Sequence, residues 1–202
     1  MNPASRASER RRYRTARNAL TRSEQLQHAE AVARRFVASR VMLSFKRFAV
    51  YAPGDGELDP GPIADRLLAA NKIVALPVVE RSRELSFYRY DAETRIVRNR
   101  FDIPEPDTAV AAHVPAAILD VVLVPLVAFD DAGIRLGRGG GYYDATFGVR
   151  RHALLVGLAH ELQHHAGIVH QHWDVPLDAV ITERAARGFT IRGRRFFSVG
   201  SH

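Results

Sequence analysis

Two stretches of this chain carry residue types at spacings that can do chemistry. The first is RLGRGGGYYD, residues 135–144. Gly137, Gly139, Gly140 and Gly141 free the backbone to turn its N–H groups toward a bound anion with no Cβ in the way. A helix expected to start near Tyr142 adds partial positive charge at its N-terminus. Arg135 and Arg138 bring guanidinium forks that suit phosphate oxygens. Asp144 is an oxygen ligand of the kind Mg²⁺ takes beside phosphates. The plain alternative is a glycine-rich turn that packs a strand against a helix. The spacing is neither the GxGxxG of a dinucleotide fold nor a P-loop, which would need a Lys-Ser/Thr pair.

The second stretch is HELQHHAGIVH, residues 160–170. His160, Glu161, His164, Gly167 and His170 match HExxHxxGxxH, a zinc-peptidase signature. Its surroundings argue against it. His160 directly follows the apolar run HALLVGLA, so it ends a strand and need not lie one helical turn from His164. A Met-turn must follow the third histidine, yet the two methionines are Met1 and Met42. Five of the nine histidines fall between 160 and 172, which eases a chance match. Exposed loop histidines, with adventitious metal binding behind them, are the first reading, and a zinc peptidase is a minor alternative.

The elements that must position these residues follow from periodicity. Residues 5–19 read as a basic helix. Thr21 and Glu24 form a capping box for a second helix, with Ala31, Val32, Phe36, Val37 and Val41 as its apolar stripe. Residues 47–51 are a short strand stopped by Pro53-Gly54-Asp55-Gly56. A helix over 60–70 follows, then a buried strand over 72–79. Residues 85–90 pair with 96–100 as a hairpin, and 101–115 is a proline-containing loop. Residues 116–126 hold another apolar strand. A loop over 127–141 leads to the helix at Tyr142. Residues 152–159 and 179–182 are the last strands. Apolar strands alternating with helices imply an α/β fold whose mostly parallel sheet is covered on both faces.

The 202 residues make one domain: N-terminal helices over 1–42, an α/β body over 43–183 and a basic, solvated C-terminal tail over 184–202. No cysteine is present, which removes disulfides, Cys-based metal sites and thiol nucleophiles. No apolar run reaches the length of a membrane span, and the N-terminus lacks the apolar core of a secretory signal. A cytoplasmic protein is expected. The net charge of +7 is uneven. Residues 1–50 carry twelve basic and three acidic side chains, and 184–202 carry five arginines and no acid, while 51–183 is net acidic. Basic ends on an acidic body are not the uniform coat of a non-specific nucleic-acid binder; on charge alone the N-terminal helix is first a solvated face, with one polyphosphate, RNA or an anionic membrane surface as the alternatives.

RLGRGGGYYD, preceded by VPLVAFDDAGIRLG (124–137) and followed by DVPLDAVITE (174–183), resembles the 5-formyltetrahydrofolate cyclo-ligase family, also called 5,10-methenyltetrahydrofolate synthetases. RASERRRYRTARNALT (6–21), YAPGDGELDP (51–60) and FDIPEP (101–106) are similar to that family's first helix, strand-one loop and middle loop, in the same order. The resemblance implies a three-layer α/β/α domain with the basic helices as an N-terminal extension. It implies an enzyme that uses ATP and Mg²⁺ to cyclise 5-formyltetrahydrofolate to 5,10-methenyltetrahydrofolate, giving ADP and phosphate through a phosphorylated formyl oxygen. Such a reaction needs positioning and charge neutralisation more than a protein nucleophile.

Carried over by matched position, Arg6 and Arg10 contact ATP phosphates, Arg6 standing where the family commonly has Lys. Arg135, Leu136, Gly137, Arg138, Gly139, Gly140, Gly141, Tyr142 and Tyr143 wrap the ATP. Arg138 to Tyr142 also face the folate, with Arg138 and Tyr142 as the catalytic pair. Ala52 and Glu57 bind the folate, Glu57 through its carboxylate. Asp144 and Asp174 bind the metal. Some members have Lys where this chain has Gly140, which puts more weight on Arg138, and His160 replaces an apolar or aromatic residue. A monomer with a small-molecule substrate, and with neither nucleic acid nor membrane as partner, is expected. A non-catalytic nucleotide- or RNA-binding member of the same fold is the alternative.

Overall fold

The capping box at the start of the second helix forms as its residues demand. Thr21 accepts from the Glu24 N–H, and the Glu24 carboxylate accepts from the Thr21 N–H at 2.8 Å. The computed structural model describes residues 3–148 and 152–197. Three helices come first: α1 (Pro3–Asn18), α2 (Arg22–Ala38) and the short α3 (Val41–Ser44). Then follow β1 (Arg47–Ala49), α4 (Gly61–Ala69), β2 (Ile73–Val79), β3 (Leu85–Tyr90), β4 (Ile96–Arg98) and β5 (Pro104–Pro106). The second half holds β6 (Val121–Pro125), β7 (Ala128–Phe129), β8 (Arg135–Leu136), α5 (Tyr142–Phe147), β9 (Leu154–Leu158), β10 (Ala179–Ile181), β11 (Ala186–Gly188) and α6 (Ile191–Phe197).

Seven strands form one sheet in the order β11-β10-β9-β6-β1-β2-β3. The five central strands run parallel, and β3 and β11 close the two edges antiparallel. Alternation along each strand feeds two cores. From β6, Val121 and Leu123 join Val32 and Phe36 of α2, Ile63 and Leu67 of α4 and Phe197 of α6. Val122 and Val124 point the other way, into a cluster with Phe87, Phe129 and Phe147. The sheet is thus α/β and mostly parallel, with both faces covered. Proline at the N-terminus of α4 follows the usual preference there.

Three readings of the sequence need correction. β3 pairs with β2, not with the segment after it, and β4 pairs instead with β5, inside the stretch read as a loop. The loop over 127–141 contains a small antiparallel pair, β7 with β8. The C-terminal arginine-rich segment is no solvated tail as far as residue 197. β11 pairs with β10, and α6 lays Phe197, 1% exposed, into the core. Its arginines do not prevent this because their charges find partners: Arg187 grips Glu161 at 2.5 and 2.9 Å, and Arg192 donates to the His152 carbonyl. On α2 the buried stripe is Ala29, Val32, Ala33 and Phe36, while Val37 faces outward.

Candidate active site

Parallel sheets open a crevice where neighbouring strands send their connections in opposite directions. Here that point lies between β1 and β6. β1 continues through Tyr51 and Ala52 into the turn 53–57, and β6 ends at Pro125. Both line a cavity of about 760 Å³. Its other walls are the glycine loop from Gly137 to Gly141 with the start of α5, and the β4–β5 hairpin with Phe101, Ile103 and Glu105.

Glu57 is a buried acid of this cavity, with a side chain 3% exposed. Its Oε1 stands 3.0 Å from Arg138 Nε and 3.9 Å from Arg17 Nη2, and its Oε2 accepts the Gly54 N–H at 3.2 Å. Among the described residues Oε1 makes no directed hydrogen bond, so it still offers an acceptor lone pair. Burial pushes the Glu57 pKa up, and the two guanidinium groups pull against it without winning. Tyr51 and Tyr143 sit close by, and burial raises both phenols, with the Glu57 charge adding to it. Tyr51 donates to the Leu58 carbonyl at 2.5 Å, which fixes the far end of the turn.

The glycine loop takes the shape its composition permits. Gly139 and Gly141 adopt φ of 112° and 72°, where side chains are strained. A Cβ on Gly140 would lie 2.6 Å from the Tyr142 ring, so a lysine at this position would require Tyr142 to move. Arg138 crosses Gly54, whose Cβ position lies 3.3 Å from Nη2. Arg138 thereby ties the glycine loop to the β1 turn. Arg135 is directed elsewhere. It donates to Asp144 Oδ1 at 2.7 Å and to the Val175 carbonyl, and the Val175 N–H meets the same Oδ1 at 3.0 Å. Tyr143 stacks near Phe147 beneath the loop.

Helix α1 backs the site with cations. Arg10 donates to the Gly137 carbonyl at 2.8 Å. Its pKa is lowered by burial and by the neighbouring Arg6 charge. Arg6 makes a bidentate pair with Asp174 at 3.1 to 3.3 Å, and its buried Nε has no partner among the described residues. Arg17 is wholly buried. It donates to the Asp55 carbonyl, the Asp55 carboxylate and the Leu126 carbonyl, at 2.7, 2.8 and 3.1 Å. Asp55 is also held by Arg14 and Asn18. Burial alone would raise its pKa, but these donors hold it down to about 2.

Of the residues expected from sequence, the structure gathers Ala52, Glu57, Arg135, Gly137, Arg138, Gly140, Gly141, Tyr142, Tyr143 and Asp144 around the one cavity. Arg6, Arg10, Gly139 and Asp174 lie outside its wall. Arg10 packs close behind Gly139, and Asp174 holds Arg6. Leu136 is a core side chain packed with Tyr13, Val127 and Ala128, and its carbonyl accepts the Val127 N–H. Sequence reasoning missed Arg17 and Asp55, and it missed Glu105. The Glu105 carboxylate accepts from the Val79 N–H at 2.9 Å and from Asn99 at 2.6 Å, fixing the hairpin over the cavity. The FDIPEP run was the available signal for Glu105, and a buried arginine such as Arg17 had none.

The histidine motif does not assemble. Glu161–Gln163 is a single 3₁₀ turn, so His160 and His164 do not share a helix face. The His160 ring meets His28, His164 meets Asp131, and His170 faces the Asp174 carbonyl. Glu161, the would-be base, is bound by Arg187 and Thr182.

The chain is similar to known proteins in sequence and fold. Residues 2–183 match the model of the 5-formyltetrahydrofolate cyclo-ligase family. The 5-formyltetrahydrofolate cyclo-ligase of Escherichia coli K12 is 38% identical over 173 residues, covering 84% of this chain and 95% of that protein. The Haemophilus influenzae protein of the same name is 36% identical over 181 residues, covering 88% and 97%. The solved structure of Aquifex aeolicus 5,10-methenyltetrahydrofolate synthetase superposes with a TM-score of 0.76 at 31% identity, covering 91% of this chain and 92% of that one. By fold, sequence and length, the chain is a ligase and belongs to the 5-formyltetrahydrofolate cyclo-ligase family.

Proposed function

We propose that this enzyme cyclises 5-formyltetrahydrofolate to 5,10-methenyltetrahydrofolate at the β1–β6 crevice, at the expense of ATP with Mg²⁺. The observation that carries this reading is the Glu57–Arg138 pair, which joins the folate-side turn to the glycine loop across one cavity. ATP, when bound with Mg²⁺, supplies the phosphoryl group that makes the formyl oxygen a leaving group. The protein's task is to position and neutralise.

Glu57 suits the N–H edge of a pterin. It is desolvated, fixed by the Gly54 N–H and has an acceptor to spare on Oε1. Phe101, Ile103 and Pro104 give the ring system an apolar wall that keeps water out. Arg138, 42% exposed, presents positive charge to the cavity while Glu57 fixes its Nε. The residues present fit a polyphosphate: two positive-φ glycines, Arg10 behind them and a buried Arg6 Nε without a partner. Asp144 lines the cavity and would hold Mg²⁺, with Arg135 setting its orientation. Asp174 lies outside the wall, and its contribution here is to position Arg6. Purified protein mixed with Mg-ATP and 5-formyltetrahydrofolate should develop the near-ultraviolet absorbance of the methenyl product. Folded protein that binds both compounds yet forms none would refute the reading.

A further inference from the structure

His28, His160 and Glu183 meet at the carboxyl edge of the sheet, outside the cavity. His160 follows β9, Glu183 follows β10, and His28 reaches in from α2. Their ligating atoms all lie within 4.8 Å of one another. The two Nδ1 atoms are 2.9 Å apart, and His28 Nδ1 lies 4.0 Å from Glu183 Oε2. Tetrahedral Zn²⁺ with bonds of about 2.0–2.1 Å holds its ligand atoms roughly 3.3 Å apart. The observed separations bracket that value, so side-chain shifts of about an ångström would close the set around one ion.

Two further observations favour a cation here over a simple histidine pair. His160 is wholly buried, and its Nε2 makes no hydrogen bond among the described residues. A metal on Nδ1 would fix the proton on Nε2 and hold the ring in one tautomer. Glu183 is oriented by the Glu161 N–H on Oε2 at 2.9 Å. A ligating carboxylate is commonly held by such an outer bond. His28 and Glu183 are partly exposed, at 21% and 14%, which gives the ion a way in and leaves room for a water as fourth ligand.

We propose that His28, His160 and Glu183 form a site for one borderline divalent transition-metal ion, of which Zn²⁺ is the type. Two imidazoles and one carboxylate select such an ion over Mg²⁺. The site is separate from the cavity and from the motif histidines His164 and His170. It would brace α2 against the ends of β9 and β10, behind the turn that carries Glu57.

Co²⁺ is the probe that tests it, using full-length protein without a tag, stripped with chelator at neutral pH. One Co²⁺ per chain should bind with the intense visible bands of a four-coordinate ion, and one equivalent of Zn²⁺ should displace it. Thermal unfolding should shift upward with the metal. His28→Ala and the near-isosteric Glu183→Gln should each weaken binding at least tenfold while keeping native far-ultraviolet circular dichroism. A His164→Ala/His170→Ala/His172→Ala variant should bind as the parent does. The proposal fails if Co²⁺ binds only weakly with the pale spectrum of a six-coordinate ion. It also fails if binding survives both single variants, or disappears in the triple one.

Discussion

Replacing Glu57 with glutamine removes one buried charge and almost no volume, so the two consequences of that charge can be separated. In the folded protein the carboxyl pKa lies above its ordinary value because burial outweighs Arg138 and Arg17. The unfolded chain therefore holds fewer protons than the native one between the two pKa values. Stability falls as pH rises through that window, and the deficit persists at neutral pH. Glutamine removes the deficit. What it loses is modest. Arg138 is 42% exposed, so its ion pair contributes only about 0–1 kcal/mol. Arg17 keeps its bonds to Asp55 and Leu126. Urea unfolding of Glu57→Gln at neutral pH should match or exceed the parent to within about 1 kcal/mol. Function should move the other way. A hydrogen bond from substrate to a charged acceptor contributes about 1.5–3 kcal/mol, which lowers kcat/KM for the folate by roughly tenfold to over a hundredfold. A variant with parental kcat/KM would refute Glu57 as the folate acceptor. A stability loss above ~2 kcal/mol would make it a structural clamp instead.

Other substitutions test neighbouring assignments. Asp144→Asn strips the charge facing Arg135, whose side chain is 4% exposed, so both turnover and urea stability should fall, the latter by about 3 kcal/mol; unchanged stability would show that the pair is not needed. Asp55, held at about 2 by Arg14 and Asn18 against its burial, lends stability that is complete above its unfolded pKa and is lost as pH falls toward about 2. Asp55→Asn should accordingly flatten the stability–pH curve in that acid range, and a curve as steep as the parent's would contradict the assignment. Phe197→Ala should cost about 3–5 kcal/mol in denaturant unfolding, and a neutral result would return the C-terminal segment to the status of an appendage.

The parallel strands were legible because both of their faces are covered: runs such as KIVALPVV and HALLVGLA have no polar alternation to mislead. The edge pairings were not. Ile96 and Val97 are 42% and 38% exposed in β4, so no buried face chooses a partner for that three-residue strand. Five residues separate β2 from β3 and five separate β3 from β4, and turn length could not decide between them. The C-terminal helix hid for a different reason. It docks through Gly193, where a Cβ would stand 1.8 Å from the Asp178 carbonyl oxygen. Close backbone approach leaves no hydrophobic pattern to read. At the site, the glycine loop announced itself by composition, and Glu57 only by its resemblance to a family position. Arg17 looked like one more surface cation in an arginine-rich stretch. Its burial depends on carbonyls contributed from Asp55 and Leu126, which no local pattern records.

Helix α1 attaches to the body with almost no aliphatic surface. Arg6, Arg10 and Arg17 are four and seven residues apart, which places them within about 40° of one another on the helix. Arg10 reaches the Gly137 carbonyl and Arg17 the Asp55 turn, so the rise between them, about 10 Å, acts as a ruler between the two loops from behind the cavity. The separation of the two loops is therefore written in the phase of a helix that reaches each of them through a guanidinium group. An insertion of one residue between Arg10 and Arg17 would rotate one anchor by about 100° relative to the other. The same insertion in the connection at Ala19–Leu20 would leave the ruler intact.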